Sequence, residues 1–233
     1  IKIFDMTLAF TGLNERAAKA AGIPCDKIFL SPANHAGYYP GGKAMTMKVI
    51  FDPEKDRLLG AQIIGYEGVD KSIDVIATCL YAGVAASRLK ELDLAYAPPY
   101  SSAKSPVNMA GFMIENLENR LIKQYFYEDV DNLPRDGSVS LIDVRTPREY
   151  DAGHIDGFIN IPVDSIRDRL DEIDPGKPAY LMCQAAIRSW IAGRILIAHG
   201  VDCYHFAGGY RLYDSIATEK MAAAEITPCG ADK

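Results

Sequence analysis

Two residue types at a fixed spacing carry the chemistry this sequence offers. Cys183 closes the apolar run Tyr180-Leu181-Met182. Arg188 follows after four intervening residues, Gln184, Ala185, Ala186 and Ile187, with Ser189 and Trp190 next. A helix-like pattern then sets in at Ile191, Ile195, Leu196 and Ala198, so the thiol stands at a strand–loop–helix turn. In an α/β sheet such a turn opens on the edge where ligands bind. The amide-rich start of a helix, with a full charge from Arg188, favours a thiolate, the form in which sulfur is a nucleophile. Taken alone, a cysteine closing an apolar strand is more often an inert core residue, so the rest of the chain must decide.

The elements around Cys183 alternate strand and helix. Leu141 to Arg145 reads as a buried strand ending in charge. Thr146 caps a short helix over Pro147 to Asp151, and Gly153 to Pro162 is a loop feeding a strand. Ser165 to Ile173 reads as a helix, Ala179 to Cys183 as a strand, Trp190 to His199 as a helix and Tyr204 to Phe206 as a strand. A last helix lies near Leu212 to Ile216. That order predicts a mainly parallel sheet with helices on both faces. Tyr125 to Val130 is a strand-like lead-in.

The first half has a different rhythm. Lys2 to Ala9 is a strand candidate. Asn14 can cap a helix over Glu15 to Ala21 that ends at Gly22, and Lys27 to Leu30 is short and apolar. Lys43 to Phe51 alternates, Asp52 to Asp56 turns and Leu58 to Ile64 returns, which is a hairpin. Helices follow over Val69 to Ala82, Leu89 to Leu94 and from Ser105–Pro106 to about Leu121. Strands first and helices after them, on one side of the sheet, predict an α+β domain.

The chain has 233 residues, enough for one large or two small domains, and a net charge of -6 without a Lys/Arg cluster, which argues against a nucleic-acid surface. No apolar run reaches membrane-spanning length. The five cysteines, Cys25, Cys79, Cys183, Cys203 and Cys229, contain no CxxC, and the four histidines are scattered. This speaks against a disulfide scaffold and a metal site, and for a reducing cytoplasm. The first residue is Ile rather than Met, within a strand-like run, so the sequence is expected to begin inside a longer protein.

Lys2-Ile3-Phe4-Asp5 with Thr11-Gly12, then Tyr38-Tyr39-Pro40-Gly41, Gly60 to Gly65 and Tyr96-Ala97-Pro98-Pro99-Tyr100-Ser101 resemble the C-terminal dimerisation domain of pyridine-nucleotide-disulfide reductases. The likeness is greatest to the coenzyme A-disulfide reductase and NADH oxidase/polysulfide reductase branch. The resemblance covers nearly all of residues 1–117. It implies a homodimer through those residues, and two tyrosines that bind and protonate the coenzyme A leaving thiolate. By motif these fall on Tyr38 and Tyr96, with Tyr39 and Tyr100 as near competitors; tyrosines at a dimer interface are otherwise simply packing. FAD, NAD(P)H and coenzyme A are implied for a parent protein, on domains missing here. This chain has no G-x-G-x-x-G to hold a dinucleotide and by itself is expected to bind none of these cofactors.

Leu141-Ile142-Asp143-Val144-Arg145, Glu149-Tyr150, Gly153 to Gly157, Asn160-Ile161-Pro162, the Cys183–Arg188 loop and Gly208-Gly209-Tyr210 resemble a rhodanese domain. This implies sulfur transfer through a Cys183 persulfide. Arg188 would orient an anionic donor, Gln184 to Ile187 and Ser189 would form the active-site loop, and Asp143, Arg145, Glu149 and His154 would be its supporting shell. The partners implied are small sulfur donors and thiol acceptors. Many rhodaneses carry Gly at the fourth loop position, where Ala186 stands here; a positive φ at that place would strain a side chain. Gln184 and Ile187 replace the basic or polar residues of thiosulfate-specialised loops and favour a persulfide or polysulfide donor. Two other classes stay open. Phosphatases and arsenate reductases with a Cys…Arg loop place one more residue between the two, and a docking module would only dimerise and hold sulfur carriers. The expected division is 1–117 for dimerisation, 118–137 for a linker and lead-in strand, 138–217 for the rhodanese core and 218–233 for a tail.

Overall fold

The computed structural model describes residues 1–225, and Cys229 lies outside them. Two compact units divide at Lys123 and Gln124.

The first unit carries β1 (Lys2–Ile3), β2 (Met6–Gly12), α1 (Glu15–Ala20), β3 (Asp26–Leu30), β4 (Thr46–Asp52), β5 (Arg57–Gly65), α2 (Val69–Ala82) and α3 (Pro106–Glu118). Its strands lie in the order β1-β2-β5-β4-β3, each pairing antiparallel. Alternate residues Met47, Val49, Ala61 and Ile63 face one way and are covered by α2 and α3. On α2 the buried residues Val69, Ile73, Ile76 and Cys79 fall at helical spacing. Each large apolar side chain so buried contributes about 1.5–3 kcal/mol. The short α1 sits on the opposite face, where Ala18 packs with Ile50 and Leu59, so the helices are not confined to one side. Ser105 caps α3 by accepting from Asn108 N, while Asn108 Oδ1 accepts from Ser105 N. Asn108 Nδ2 also donates to the carbonyls of Leu89 and Leu92, both at 3.0 Å, which ties α3 to the 3-10 turn at Ser87–Glu91.

The second unit's elements are β6 (Lys123–Tyr125), α4 (Tyr127–Val130), β7 (Ser140–Asp143), α5 (Pro147–Asp151), β8 (Ile159–Asn160), β9 (Ala179–Met182), α6 (Ile187–Ala198), β10 (Cys203–Phe206) and α7 (Gly209–Glu225). The sheet order is β6-β10-β9-β7-β8, with β10–β9, β9–β7 and β7–β8 parallel. Successive residues of β9 feed two apolar layers: Ala179, Leu181 and Cys183 on the α6 side, Met182 on the other. A strand buried on both faces reads as one apolar run, which is what made it legible.

Several boundaries differ from the sequence expectation, each for a local reason. Phe4 adopts φ 50°, so Lys2 to Ala9 is a tight hairpin pairing Lys2 with Thr7, not one strand. Tyr125 to Val130 is the end of β6 and then a helix, because the Asp129 carboxylate accepts from Phe126 N and starts a turn. The segments expected as helices at Leu89–Leu94 and Ser165–Ile173 are 3-10 turns at Ser87–Glu91 and Ile166–Glu172, the latter kinked at Arg169. Helix α6 starts at Ile187 rather than Trp190, which puts Arg188 in its first turn. Helix α7 runs from Gly209 to Glu225, well past Ile216.

His205 on β10 is 3 % exposed, and its Nδ1 has no hydrogen-bond partner among the described residues. Burial lowers its pKa to about 4. The imidazole is therefore neutral in the fold, whereas the unfolded chain takes up a proton below about pH 6.5. Its contribution to stability is whole above pH 6.5 and is lost as pH falls toward 4, a total on the order of 3 kcal/mol. Urea unfolding of the native chain is expected to weaken steadily from pH 7 to 5, and His205→Leu to flatten that slope. An unchanged slope in the variant would contradict the assignment.

Candidate functional site

The candidate site lies at the carboxyl ends of β7 and β9, where open α/β sheets bind ligands. β9 delivers Cys183 and β7 delivers Asp143 and Arg145; α5 supplies Glu149, and the first turn of α6 supplies Arg188 and Ser189.

Cys183 is 1 % exposed. Its thiol donates to Ser189 Oγ at 3.5 Å, and the Ser189 hydroxyl donates to the Ala186 carbonyl at 2.9 Å. Ser189 is wholly buried. The loop between is held from behind. Tyr210 N donates to the Cys183 carbonyl at 2.8 Å, and Arg211 N to the Gln184 carbonyl at 3.2 Å. The first amides of α7 thus satisfy carbonyls of the cysteine loop. This needs close approach. A Cβ on Gly209, at φ 71°, would lie 2.6 Å from the Cys183 carbonyl oxygen, so only glycine fits there.

Ala186 caps the start of α6 at φ 71° and ψ -22°, the left-handed conformation anticipated for the fourth loop position. For an L-residue this costs roughly 1–2 kcal/mol. Glycine would relieve that strain but lose a buried methyl group, about 0.8 kcal/mol, and add about 0.5–1 kcal/mol of chain entropy. Ala186→Gly is therefore expected to change stability by less than about 1 kcal/mol, whereas the β-branched Ala186→Val should cost about 2 kcal/mol or more. Chemical denaturation measures both.

The charged groups come in two closed pairs. Arg188 Nη1 and Nη2 each donate to Glu149 at 2.7 Å. The Arg188 guanidinium, with help from Thr146 N and Oγ1, pulls the Glu149 pKa down to about 2, and Glu149 raises that of Arg188 in return. Deeper in the sheet, Asp143 and Arg145 are almost wholly buried and bonded at 2.7 to 3.0 Å. Arg145 also donates to the Gly153 carbonyl at 2.7 Å and to Gln184 Oε1 at 3.4 Å, and its guanidinium lies 3.9 Å over the Tyr210 ring. Arg145 thereby joins the cysteine loop, the loop at Gly153 and the start of α7. Asp143, Arg145 and Glu149 are the residues that the rhodanese resemblance places in a supporting shell. The resemblance does not anticipate the part played by Gly209 and Tyr210, although a Gly-Gly-Tyr opening a helix is a signal for close backbone approach.

His154 belongs elsewhere in the loop. It is exposed, stacks on Tyr150 at 4.0 Å, and its Nδ1 lies 3.1 Å from the Tyr150 carbonyl. Ile187 is 60 % exposed, while Gln184 and Ala185 are half-buried.

The first unit holds the tyrosine candidates. Tyr38 Oη and Tyr96 Oη lie 3.0 Å apart, and this bond raises the Tyr38 phenol above its ordinary pKa. Both rings are exposed. Tyr39 instead sits edge-on to the buried His35, with ring centroids 5.6 Å apart. Tyr100 is exposed, and its carbonyl accepts from Lys71 Nζ at 3.4 Å. The fold thus pairs the two tyrosines favoured by motif and separates the competitors by function of their contacts.

Residues 1–106 match the family model described as pyridine nucleotide-disulphide oxidoreductase, dimerisation domain, and residues 126–215 match that of the rhodanese-like domain. Coenzyme A disulfide reductase of Staphylococcus haemolyticus (strain JCSC1435) is 38% identical over 117 residues, 50% of this chain and 26% of the relative. That of Staphylococcus epidermidis (strain ATCC 12228 / FDA PCI 1200) is 35% identical over 112 residues, 48% and 25% of the two chains. Among solved structures, reduced Bacillus anthracis CoADR-RHD superimposes with a TM-score of 0.90 at 41% identity, covering 94% of this chain and 39% of the other. The NAD-dependent persulfide reductase from A. fulgidus does so with a TM-score of 0.80 at 34% identity, covering 89% and 37%. The chain spans about a quarter of the length of these curated relatives.

Proposed function

We propose that this chain, which joins a pyridine nucleotide-disulphide oxidoreductase dimerisation domain to a rhodanese-like domain, is a sulfurtransferase acting through a persulfide on Cys183. The observation that carries the reading is the placing of Cys183 at the carboxyl end of β9, in a loop whose carbonyls are clamped by α7 and whose far end carries Arg188.

The thiolate of Cys183 attacks the outer sulfur of a donor R–S–SH. A new S–S bond forms at Cys183, the donor's S–S bond breaks, and RS⁻ leaves with the electron pair. An acceptor thiolate R′S⁻ then attacks the outer sulfur held on Cys183, giving R′–S–SH and returning the Cys183 thiolate. The sulfane sulfur changes hands with no net oxidation or reduction. A persulfide suits this site better than thiosulfate. The Arg188 charge is already met bidentately by Glu149 and that of Arg145 by Asp143, so a dianion would have to displace a carboxylate. The four-residue gap between Cys183 and Arg188 also favours sulfur over a tetrahedral phosphate.

We assign pairing of two copies to residues 1–117, a linker and entry strand to 118–137, sulfur handling to 138–217 and a tail to 218–233, of which residues 218–225 continue α7. In a longer protein, FAD and NAD(P)H held by other segments would supply the electrons that reduce the delivered sulfur. The Tyr38–Tyr96 pair would offer a phenol proton to a coenzyme A thiolate, a role its exposure and mutual hydrogen bond suit. Such chemistry belongs in a reducing cytoplasm.

Mass spectrometry of the Cys183 peptide after treatment with polysulfide tests the reading. The expected result is one added sulfur, removed again by a thiol acceptor. A Cys183 peptide that never gains sulfur, while the fold stays intact, would leave a docking module as the function.

A further inference from the structure

Ser189 has one hydroxyl proton and two acceptors in reach. In the structure the Cys183 thiol donates to Ser189 Oγ at 3.5 Å, and the hydroxyl gives its own proton to the Ala186 carbonyl at 2.9 Å. Once Cys183 is a thiolate the first bond cannot exist, because sulfur no longer carries a proton to donate. A buried anion gains most from a donor aimed at it, and the Ser189 hydroxyl needs only a rotation about its Cβ–Oγ bond to supply one. The Ala186 carbonyl would not be orphaned by that rotation, since it also accepts from Trp190 N at 3.1 Å within α6. The turn therefore costs little at the oxygen it leaves and stabilises the sulfur it reaches.

We propose that the Ser189 hydroxyl is a two-position hydrogen-bond switch, held by the Ala186 carbonyl when Cys183 is a thiol and turned to the sulfur when Cys183 is a thiolate. The inference rests on the reading of Cys183 as the sulfur nucleophile. On deprotonation the thiol proton passes to solvent hydroxide or a buffer base, and the Ser189 proton stays on its oxygen and changes only its acceptor. The other charged and titratable groups about the sulfur are fixed. They are the Arg188–Glu149 pair of α6 and α5, the Asp143–Arg145 pair at the end of β7, Tyr125 of β6 and Tyr210 of α7, both of whose phenols burial pushes up, and His205 of β10, which lies opposite Leu181 in register.

The test is alkylation of Cys183 by iodoacetamide in the full chain, followed on its own peptide by mass spectrometry at pH 7 and at pH 10.5. In S189A the pH 7 rate is expected to fall about tenfold, the worth of one hydrogen bond to an anion. At pH 10.5 the two proteins should react alike. S189T, which keeps the hydroxyl, should restore the pH 7 rate. A general loosening of the loop would alter both pH values together, so equal changes at pH 7 and 10.5, or no change at either, overturn the switch while leaving sulfur transfer standing. If Cys183 of the unaltered chain resists the reagent at both pH values, the sulfur-transfer reading falls and the switch with it.

Discussion

Asp143→Ala is expected to destabilise the second unit by about 3–5 kcal/mol, the usual cost of removing one partner of a buried ion pair. Asp143 accepts from Arg145 N, Nε and Nη2, and both side chains are almost wholly buried. Without the carboxylate the guanidinium keeps its charge among apolar layers, retaining the Gly153 carbonyl, Gln184 Oε1 and the Tyr210 ring but no counter-charge. Trp190 is the chain's one tryptophan and lies on α6, so its fluorescence during urea unfolding reads this unit. The double variant Asp143→Leu/Arg145→Met should recover much of the stability, because an apolar pair of similar volume replaces a buried ion pair at little cost. It should not recover sulfur uptake, since Arg145 also links the cysteine loop to α7. Recovery of both together would reduce the pair to a stability element.

Cys183→Ala is expected to lower sulfur transfer from an organic persulfide to a thiol by at least about a thousandfold, as loss of a covalent nucleophile does. Cys183→Ser is the sharper variant. It keeps a polar atom against Ser189 and nearly the same volume, so the fold should hold, yet an alcohol does not carry sulfane sulfur. Cys25, Cys79, Cys203 and Cys229 remain in both variants; burial raises the Cys203 thiol to about 12 and pushes Cys79 up as well, which makes those two poor substitutes. Transfer by Cys183→Ser at the unaltered rate would eliminate the persulfide mechanism.

Much of this was legible in the residues. The Cys183 turn could be read because β9 is buried on both faces and stops where the apolar run stops. The helix over Val69 to Ala82 could be read because its apolar residues recur at 3.6 and Gly83 ends it in a left-handed C-cap. What escaped was set by contacts between distant segments. The early start of α6 follows from Ala186 standing as its N-cap in a left-handed conformation; the usual glycine at that loop position points to the conformation but not to where the helix begins. The 3-10 turn at Ser87–Glu91 is tied down by Asn108, many residues later. The closure of Arg188 by Glu149 pairs residues 39 apart in sequence, and neither residue announces its partner. The motifs group Asp143, Arg145, Glu149 and His154 together, but the contacts of His154 are with Tyr150, whereas Asp143, Arg145 and Glu149 pair with one another or with Arg188.

The clamp of α7 on the cysteine loop also has a consequence in time. Cys183 leaves the ribosome before Tyr210 and Arg211, whose amides hold the Cys183 and Gln184 carbonyls. At about 5–20 residues per second the 26 positions between Cys183 and Tyr210 take roughly one to five seconds to synthesise. Through that interval the nascent thiol has neither its clamp nor its buried setting, and it behaves as an ordinary unfolded cysteine. On the proposed function, the cysteine loop is therefore completed only after α7 has been made, and sulfur transfer begins only when α7 docks.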